Sequence, residues 1–130
     1  MRLTIVGCAG SFPGPDSPAS CYLVEHDGHR LVLDMGNGAF GALQRYTDVY
    51  GIDAVVLSHL HADHCLDLTS YYVARRYHPD GPKGSVPVLG PSGTADRSRW
   101  AMGSPRVRPM ANDQPQPDED LSVLMILADA

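Results

Sequence analysis

The sequence predicts an α/β chain, in which short β-strands alternate with helices. Short apolar runs rich in β-branched residues recur through residues 1–90, and segments with helical spacing separate several of them. Gly, Pro and Asp punctuate the boundaries between these segments. Such alternation is typical of a sheet packed against helices, and the length of 130 residues leaves room for a single domain.

The first predicted elements are strands. Residues 3–6 form a β-branched run that Gly7 stops. Residues 21–25 and 30–34 are apolar runs on either side of His26-Asp27-Gly28-His29, and Asp-Gly between apolar runs is a strong hairpin signal. A single strand followed by an antiparallel hairpin is therefore predicted.

The following segments alternate between helix and strand. Apolar residues at helical spacing predict a helix over 40–50, closed by Gly51, and a second helix over 66–77 that Pro79 ends. Continuous apolar runs predict buried strands over 53–58 and 86–89, and a last short helix is expected between Pro91 and Trp100. The predicted order is β-β-β-α-β-α-β-α.

The composition changes after Trp100. Residues 104–120 are rich in proline and polar residues without an apolar period, so we expect 101–130 to form a divergent, loosely ordered tail. Residues 121–128 are apolar again, and their pattern does not distinguish a strand from a helical turn.

Charge and cysteine content narrow the range of functions. A formal net charge of -5 gives the chain no overall electrostatic attraction for nucleic acid. Cys8, Cys21 and Cys65 show no paired spacing, which favours reduced thiols. With no signal-peptide pattern at the start and no apolar run near ~20 residues, we expect a cytoplasmic protein that does not enter membranes.

One segment carries a clear chemical signal. His59-Leu60-His61-Ala62-Asp63-His64 places three imidazoles and a carboxylate within six residues, directly after the predicted strand 53–58. Neutral imidazole and carboxylate suit zinc, iron or manganese. Such a segment can hold a hydrolytic centre with two ions about 3.5–4 Å apart, in which both attacking and leaving oxygens are stabilised. An accidental cluster of surface histidines is the alternative.

Residues 58–64, with the strand and hairpin before them, resemble the metallo-β-lactamase superfamily. Residues 7–11, Gly-Cys-Ala-Gly-Ser, and 31–38, Leu-Val-Leu-Asp-Met-Gly-Asn-Gly, resemble its RNase Z-like and cyclic-nucleotide phosphodiesterase branch. The resemblance covers about residues 1–97. It implies the αββα sandwich of that family, with residues 1–100 as its N-terminal half of one sheet plus helices.

The resemblance also implies roles for individual residues. His59 and His61 would bind a first metal ion, and Asp63 and His64 a second, with two Zn²⁺ ions in the family and Mn²⁺ or Fe as alternatives. Asp63 would also be catalytic, by orienting the attacking water. Asp34 would support the histidine segment from behind the ligands, and an Asp that merely caps a turn is the open alternative.

The implied reaction is hydrolysis of a phosphodiester by metal-bound hydroxide, on a small cyclic nucleotide in preference to RNA, because no basic patch is visible. A thioester or lactam hydrolase on the same fold stays open. The family supplies a further histidine, a bridging aspartate and a last histidine from its second half, whereas no histidine follows Trp100 here. An interrupted reading frame would produce that pattern. The chain would then be an incomplete fragment that binds metal weakly or forms a homo-oligomer through its exposed sheet face.

Two side-chain environments are also predicted. Cys65 is expected to be buried packing at the start of a helix. Arg75, Arg76 and His78 are expected at a solvated helix end, where their positive charge complements the helix dipole, and contact with a substrate phosphate is the alternative.

Overall fold

The fold is one mixed β-sheet with helices packed on it. The structure, a computed structural model, describes residues 1–103 and the backbone of two strands at 108–109 and 121–126. The strands are β1 Arg2–Gly7, β2 Cys21–His26, β3 His29–Leu33, β4 Ala54–Val56, β5 Val86–Pro91, β6 Arg108–Pro109 and β7 Leu121–Ile126. The helices are α1 Ala39–Leu43, α2 Ala62–Cys65, α3 Leu68–Arg76 and α4 Thr94–Met102.

The strand order across the sheet is β1-β2-β3-β4-β5-β7-β6. Neighbours pair antiparallel from β1 to β3, parallel from β3 to β5, and antiparallel from β5 through β7 to β6. The predicted alternation of strands and helices is confirmed, and so is the α/β class. The parallel centre places the ends of β3, β4 and β5 at one edge of the sheet.

The predicted hairpin forms through a two-residue turn. Asp27 and Gly28 both have positive φ, 47° and 80°, as a type I′ turn requires, and His26 pairs with His29. The local sequence therefore fixes the register of β2 against β3.

The helices cover one face of the sheet. Leu23, Val32, Val55 and Val88 are fully buried and share one hydrophobic cluster with residues of α1, α3 and α4 such as Tyr71. Because side chains alternate along a strand, the intervening residues point to the opposite side.

That opposite side, the outer face, is also apolar. Register aligns its residues in two rows across β1 to β5: Leu3, Val24, Leu31 and Ala54, then Ile5, Tyr22, Leu33, Val56 and Leu89. At the edge strand, Leu3 is 61% exposed and Ile5 59% exposed. Apolar side chains on both faces are typical of a sheet that is packed on two sides.

The predicted helix over 40–50 is wrong in extent. Helix α1 ends at Leu43, a series of turns follows, and a separate 3₁₀ turn covers Val49–Gly51. The Asp48 side chain accepts a hydrogen bond from the Tyr50 N–H, at 3.0 Å, and so starts this second turn. Local side-chain hydrogen bonding of this kind competes with helix propagation.

Arg75 was expected at a solvated helix end, and this is also wrong. It is 5% exposed, and its guanidinium donates to the carbonyl of Gly84 and to the hydroxyl of Tyr71. The Tyr71 hydroxyl in turn donates to the carbonyl of Val49, at 3.1 Å. Arg75 therefore satisfies loop carbonyls inside the fold, where a lost partner would leave a buried charge.

Part of the segment expected to be a loose tail belongs to the described fold. Helix α4 extends to Met102, and β7 pairs with β5 over six residue pairs from Val86↔Ile126 to Pro91↔Leu121. The rest of 104–130 lies outside the described residues. In the described ranges, the helices are too short or too polar to cross a lipid bilayer.

Matched leucine substitutions test the assignment of the two faces. Leu23→Ala removes a fully buried side chain, and we expect a loss of about 3 kcal/mol in the free energy of unfolding. Leu3→Ala, on the outer face, is expected to cost less than about 1 kcal/mol. Denaturant unfolding measures both, and similar losses would contradict the assignment.

Candidate metal centre

The histidine-rich segment follows β4 at the centre of the sheet. β4 ends at Val56, Ser58 and His59 continue the chain, and the one-turn helix α2 then carries Asp63 and His64. The sequence predicted these ligands on a loop, whereas the structure places the last two on a helical turn. This turn brings the side chains of Asp63 and His64 close to His59.

Three of the predicted ligands converge. One donor atom each from His59, Asp63 and His64 lies within 4.8 Å of the other two. The imidazole rings of His59 and His64 have centroids 3.8 Å apart, and those of His59 and His61 are 4.8 Å apart. His61 is exposed, and its ring lies beside that of His59, next to the cluster of His59, Asp63 and His64. The division of the four ligands between two metal ions stays a prediction.

The donor set fits a zinc ion. Nitrogen ligands about 2.1 Å from a tetrahedral zinc stand about 3.4 Å from one another. Donor atoms within 4.8 Å therefore reach one ion after side-chain shifts on the order of 1 Å. Imidazole and carboxylate are also the ligand types that zinc binds, and three protein ligands leave a coordination position free.

Asp34 supports the cluster of His59, Asp63 and His64 through hydrogen bonds. It is 5% exposed, and its carboxylate accepts hydrogen bonds from the N–H and the hydroxyl of Ser58, at 2.7 and 2.8 Å. Its Oδ2 also lies 2.7 Å from Nδ1 of His64. A proton on that Nδ1 leaves Nε2 of His64 free to bind a metal ion.

The backbone at Asp34 is unusual. Its φ of 58° is left-handed, a conformation that Asp tolerates better than most residues. The contacts of its carboxylate reach Ser58 and His64, which lie 24 and 30 residues further along the chain. These contacts are typical of a residue that supports the histidine segment.

The carboxylate of Asp63 faces the cluster. Its Oδ2 accepts from the Ser11 N–H at 3.2 Å and lies 3.3 Å from Nε2 of His64. Desolvation raises the pKa of the Asp63 carboxyl, but donation from its own and the Ser11 amide and the nearby His64 and His59 outweigh it, so that the pKa is lowered. Asp63 is therefore an anion at neutral pH.

Backbone contacts fix α2 against the end of β3. The carbonyl of Asp63 accepts from the Ser20 N–H at 3.1 Å, and the carbonyl of His64 accepts from the Met35 N–H at 2.8 Å. A side chain at Gly36 would place its Cβ 2.0 Å from the Asp63 carbonyl oxygen. Only glycine permits this approach, so Gly36 sets the position of Asp63.

Sequence reasoning missed several of these residues. Ser58, Ser11 and Gly36 contact the ligands or their support, but an isolated serine carries no signal in a sequence. Gly36 lies two residues after Asp34, just past the end of β3, and that position was the available clue. Cys65 lies outside the donor cluster and is buried, with its thiol donating to the Leu60 carbonyl at 3.4 Å, as expected for packing.

Comparison with known proteins gives a family match over most of the chain. The model described as "Metallo-beta-lactamase superfamily" matches residues 14–127. The chain is 54% identical over 99 residues to the uncharacterized protein Rv1339 of Mycobacterium tuberculosis, which covers 75% of this chain and 36% of that protein. It is 37% identical over 68 residues to a ribonuclease Z of Haloferax volcanii, covering 52% of this chain and 22% of the relative.

A solved structure agrees with the sequence relatives. The metallo-β-lactamase fold protein YhfI of Bacillus subtilis superposes with a TM-score of 0.68 at 29% identity, over 75% of this chain and 41% of that chain. Its sequence is 34% identical to this one over 92 residues. The chain thus spans between a fifth and two fifths of the length of these relatives.

Two glycine substitutions test the close approach beneath Asp63. Gly36→Ala forces a Cβ against the Asp63 backbone, and we expect it to destabilise the protein by about 3 kcal/mol or more. Gly41→Ala is the control, because its Cβ would meet nothing within 4 Å and lies in α1, where alanine favours the helix. Denaturant unfolding of both variants is the measurement. Equal stability would show that Gly36 does not constrain the segment.

Proposed function

Because the chain belongs to the metallo-β-lactamase superfamily, we propose that it carries a metal centre for hydrolysis of a phosphodiester. The observation that supports this proposal is the convergence of His59, Asp63 and His64 on one point at the end of the central parallel strands. Superfamily members generally bind metal ions, often zinc, and this donor set suits zinc.

Each residue of the candidate site has a separate role. His59, Asp63 and His64 would hold the metal ion, with His61 beside them as the fourth predicted ligand, and Asp34 would orient His64. A zinc ion at such a site lowers the pKa of water toward about 7 and offsets negative charge on phosphoryl oxygens. The anionic carboxylate of Asp63 accepts a hydrogen bond from the attacking water and so orients it.

The relatives and the charge of the chain support a small phosphodiester as substrate. A relative at 37% identity is named ribonuclease Z, and RNA is a phosphodiester. The chain itself has a net charge of -5, which disfavours a long polyanion. We therefore favour a small substrate, such as a cyclic nucleotide, over RNA.

The outer face favours a second candidate, in which the chain is catalytically incomplete alone and pairs with another copy of itself. Its two apolar rows lie on the face opposite the helices, and Ile5 and Leu3 are more than half exposed. Burial of such a face in a sheet-on-sheet dimer is favourable. This candidate concerns only the chain as it stands, which spans 36% of its mycobacterial relative.

Metal content and turnover test the hydrolase proposal together. We expect the purified chain to bind zinc, and His64→Ala, which removes a ligand that Asp34 orients, to reduce zinc affinity by at least about 10-fold. His61→Ala should reduce turnover of a bis-aryl phosphodiester and of cyclic AMP. His29→Ala, at the exposed hairpin, is the matched control. Elemental analysis and chelator competition measure the metal, and turnover that both substitutions leave unchanged would contradict the proposal.

Two lysine substitutions test the pairing candidate. Ile5→Lys puts a charge on the outer face, whereas Val73→Lys puts the same charge at a 51% exposed valine of α3. We expect the wild type and Val73→Lys to dimerise, and Ile5→Lys to weaken dimerisation by at least about 10-fold, or ~1.4 kcal/mol. Sedimentation across a concentration series measures this. A wild type that is monomeric throughout would exclude the pairing.

A further inference from the structure

The hydroxyl of Ser58 occupies a position that the ligand roles leave unexplained. Its Oγ lies 2.8 Å from Oδ2 of Asp34 and 3.1 Å from Nδ1 of His59. It also lies 3.3 Å from Nδ1 of His64. One hydroxyl therefore stands between a buried carboxylate and two imidazoles of the donor cluster.

The protons in this network can be assigned by counting donors and acceptors. The carboxylate of Asp34 only accepts, so its contacts with Ser58 Oγ and with His64 Nδ1 each require a proton on the partner. Ser58 therefore donates its single hydroxyl proton to Oδ2 of Asp34. The Ser58 oxygen is left as an acceptor, and its contact with Nδ1 of His59 requires the proton to reside on that nitrogen.

We propose that Ser58 is a positioning residue that links Asp34 to His59. Its hydroxyl donates to the Asp34 carboxylate, and its oxygen accepts from Nδ1–H of His59. The proton of His59 is thereby held on Nδ1, and Nε2 stays free to bind a metal ion. Asp34 then orients both histidines of the cluster, His64 directly and His59 through Ser58. The proposal rests on the proposed metal centre, because a free Nε2 has a function only if an ion binds there.

The backbone contact of Ser58 with Asp34 does not need the hydroxyl. The Ser58 N–H already ties this residue to Oδ1 of Asp34, at 2.7 Å, and an alanine would keep that bond. The hydroxyl is needed for the contact with His59. An imidazole whose Nδ1 lacks an acceptor is free to carry its proton on Nε2, and this proton must move before Nε2 can bind a metal ion, which weakens metal binding.

The exposure of Ser58 limits the loss of metal affinity that we expect when its hydroxyl is removed. Loss of a group that orients a metal ligand typically costs 10- to 100-fold in metal affinity. Ser58 is an exposed residue, so water can partly replace its hydroxyl. We therefore expect the lower end of that range, about 10-fold.

Nitrogen-15 NMR of the histidine side chains in the metal-free protein tests the relay directly. At about pH 9, where histidines are generally neutral, the wild type should carry the proton of His59 on Nδ1. Ser58→Ala should shift His59 toward the Nε2–H form and leave His64 on Nδ1, because His64 contacts Asp34 itself. Ser58→Thr retains the hydroxyl and should behave like the wild type.

Asp34→Asn extends the test, because it weakens the acceptor for both histidines and should disturb both tautomers. A wild-type His59 with its proton on Nε2 would overturn the proposal, and so would a His59 tautomer that Ser58→Ala leaves unchanged. The first of these outcomes is read from the wild-type spectrum alone and requires no variant.

Zinc affinity gives an independent measurement. Chelator competition should show a loss of about 10-fold in Ser58→Ala, recovery in Ser58→Thr, and no change in Ser70→Ala, an exposed serine of α3. Equal affinity of Ser58→Ala and wild type would overturn the role of the hydroxyl. A wild type that binds no zinc would instead contradict the proposed function, and the NMR result would still decide whether Ser58 orients His59.

Discussion

The contacts of the Asp34 carboxylate are the interactions on which the candidate metal centre depends. Asp34 lies just after β3. Its carboxylate accepts hydrogen bonds from the N–H and the hydroxyl of Ser58, which follows β4, and it also contacts His64 on α2. One buried carboxylate thereby joins three parts of the chain around the donor cluster. Since a buried carboxylate without partners is costly, the same contacts that orient the histidines also stabilise this edge of the sheet.

A second constraint is the close packing of backbone beneath the cluster. The approach of Gly36 to the Asp63 carbonyl, with hydrogen bonds from the Ser20 and Met35 N–H groups to the carbonyls of Asp63 and His64, holds the backbone of the ligand segment in place. Asp34 sets the direction of the His64 side chain, and Gly36 sets the position of the Asp63 backbone. A site held in both ways is preorganised, as metal binding with defined geometry requires.

The sheet also shows that the described part of the chain has more apolar surface than its helices cover. Alternation in β1 to β5 buries one row of residues under α1, α3 and α4 and leaves the outer face apolar. The relatives are longer, and the chain spans 36% of the mycobacterial one. Both observations are consistent with a unit whose outer face is packed against further polypeptide, which is the physical basis of the pairing candidate.

The sequence by itself determined the features that depend on neighbouring residues. The Asp27-Gly28 turn, the period-two strands and the spacing of His59 to His64 are local patterns, and local backbone preference suffices to predict them. Only the tertiary structure decided that Arg75 is buried and which of the predicted ligands converge. The contacts that order the site join residues more than twenty positions apart, such as Asp34 and Ser58. Their proximity follows from strand order and packing, which a local pattern does not encode.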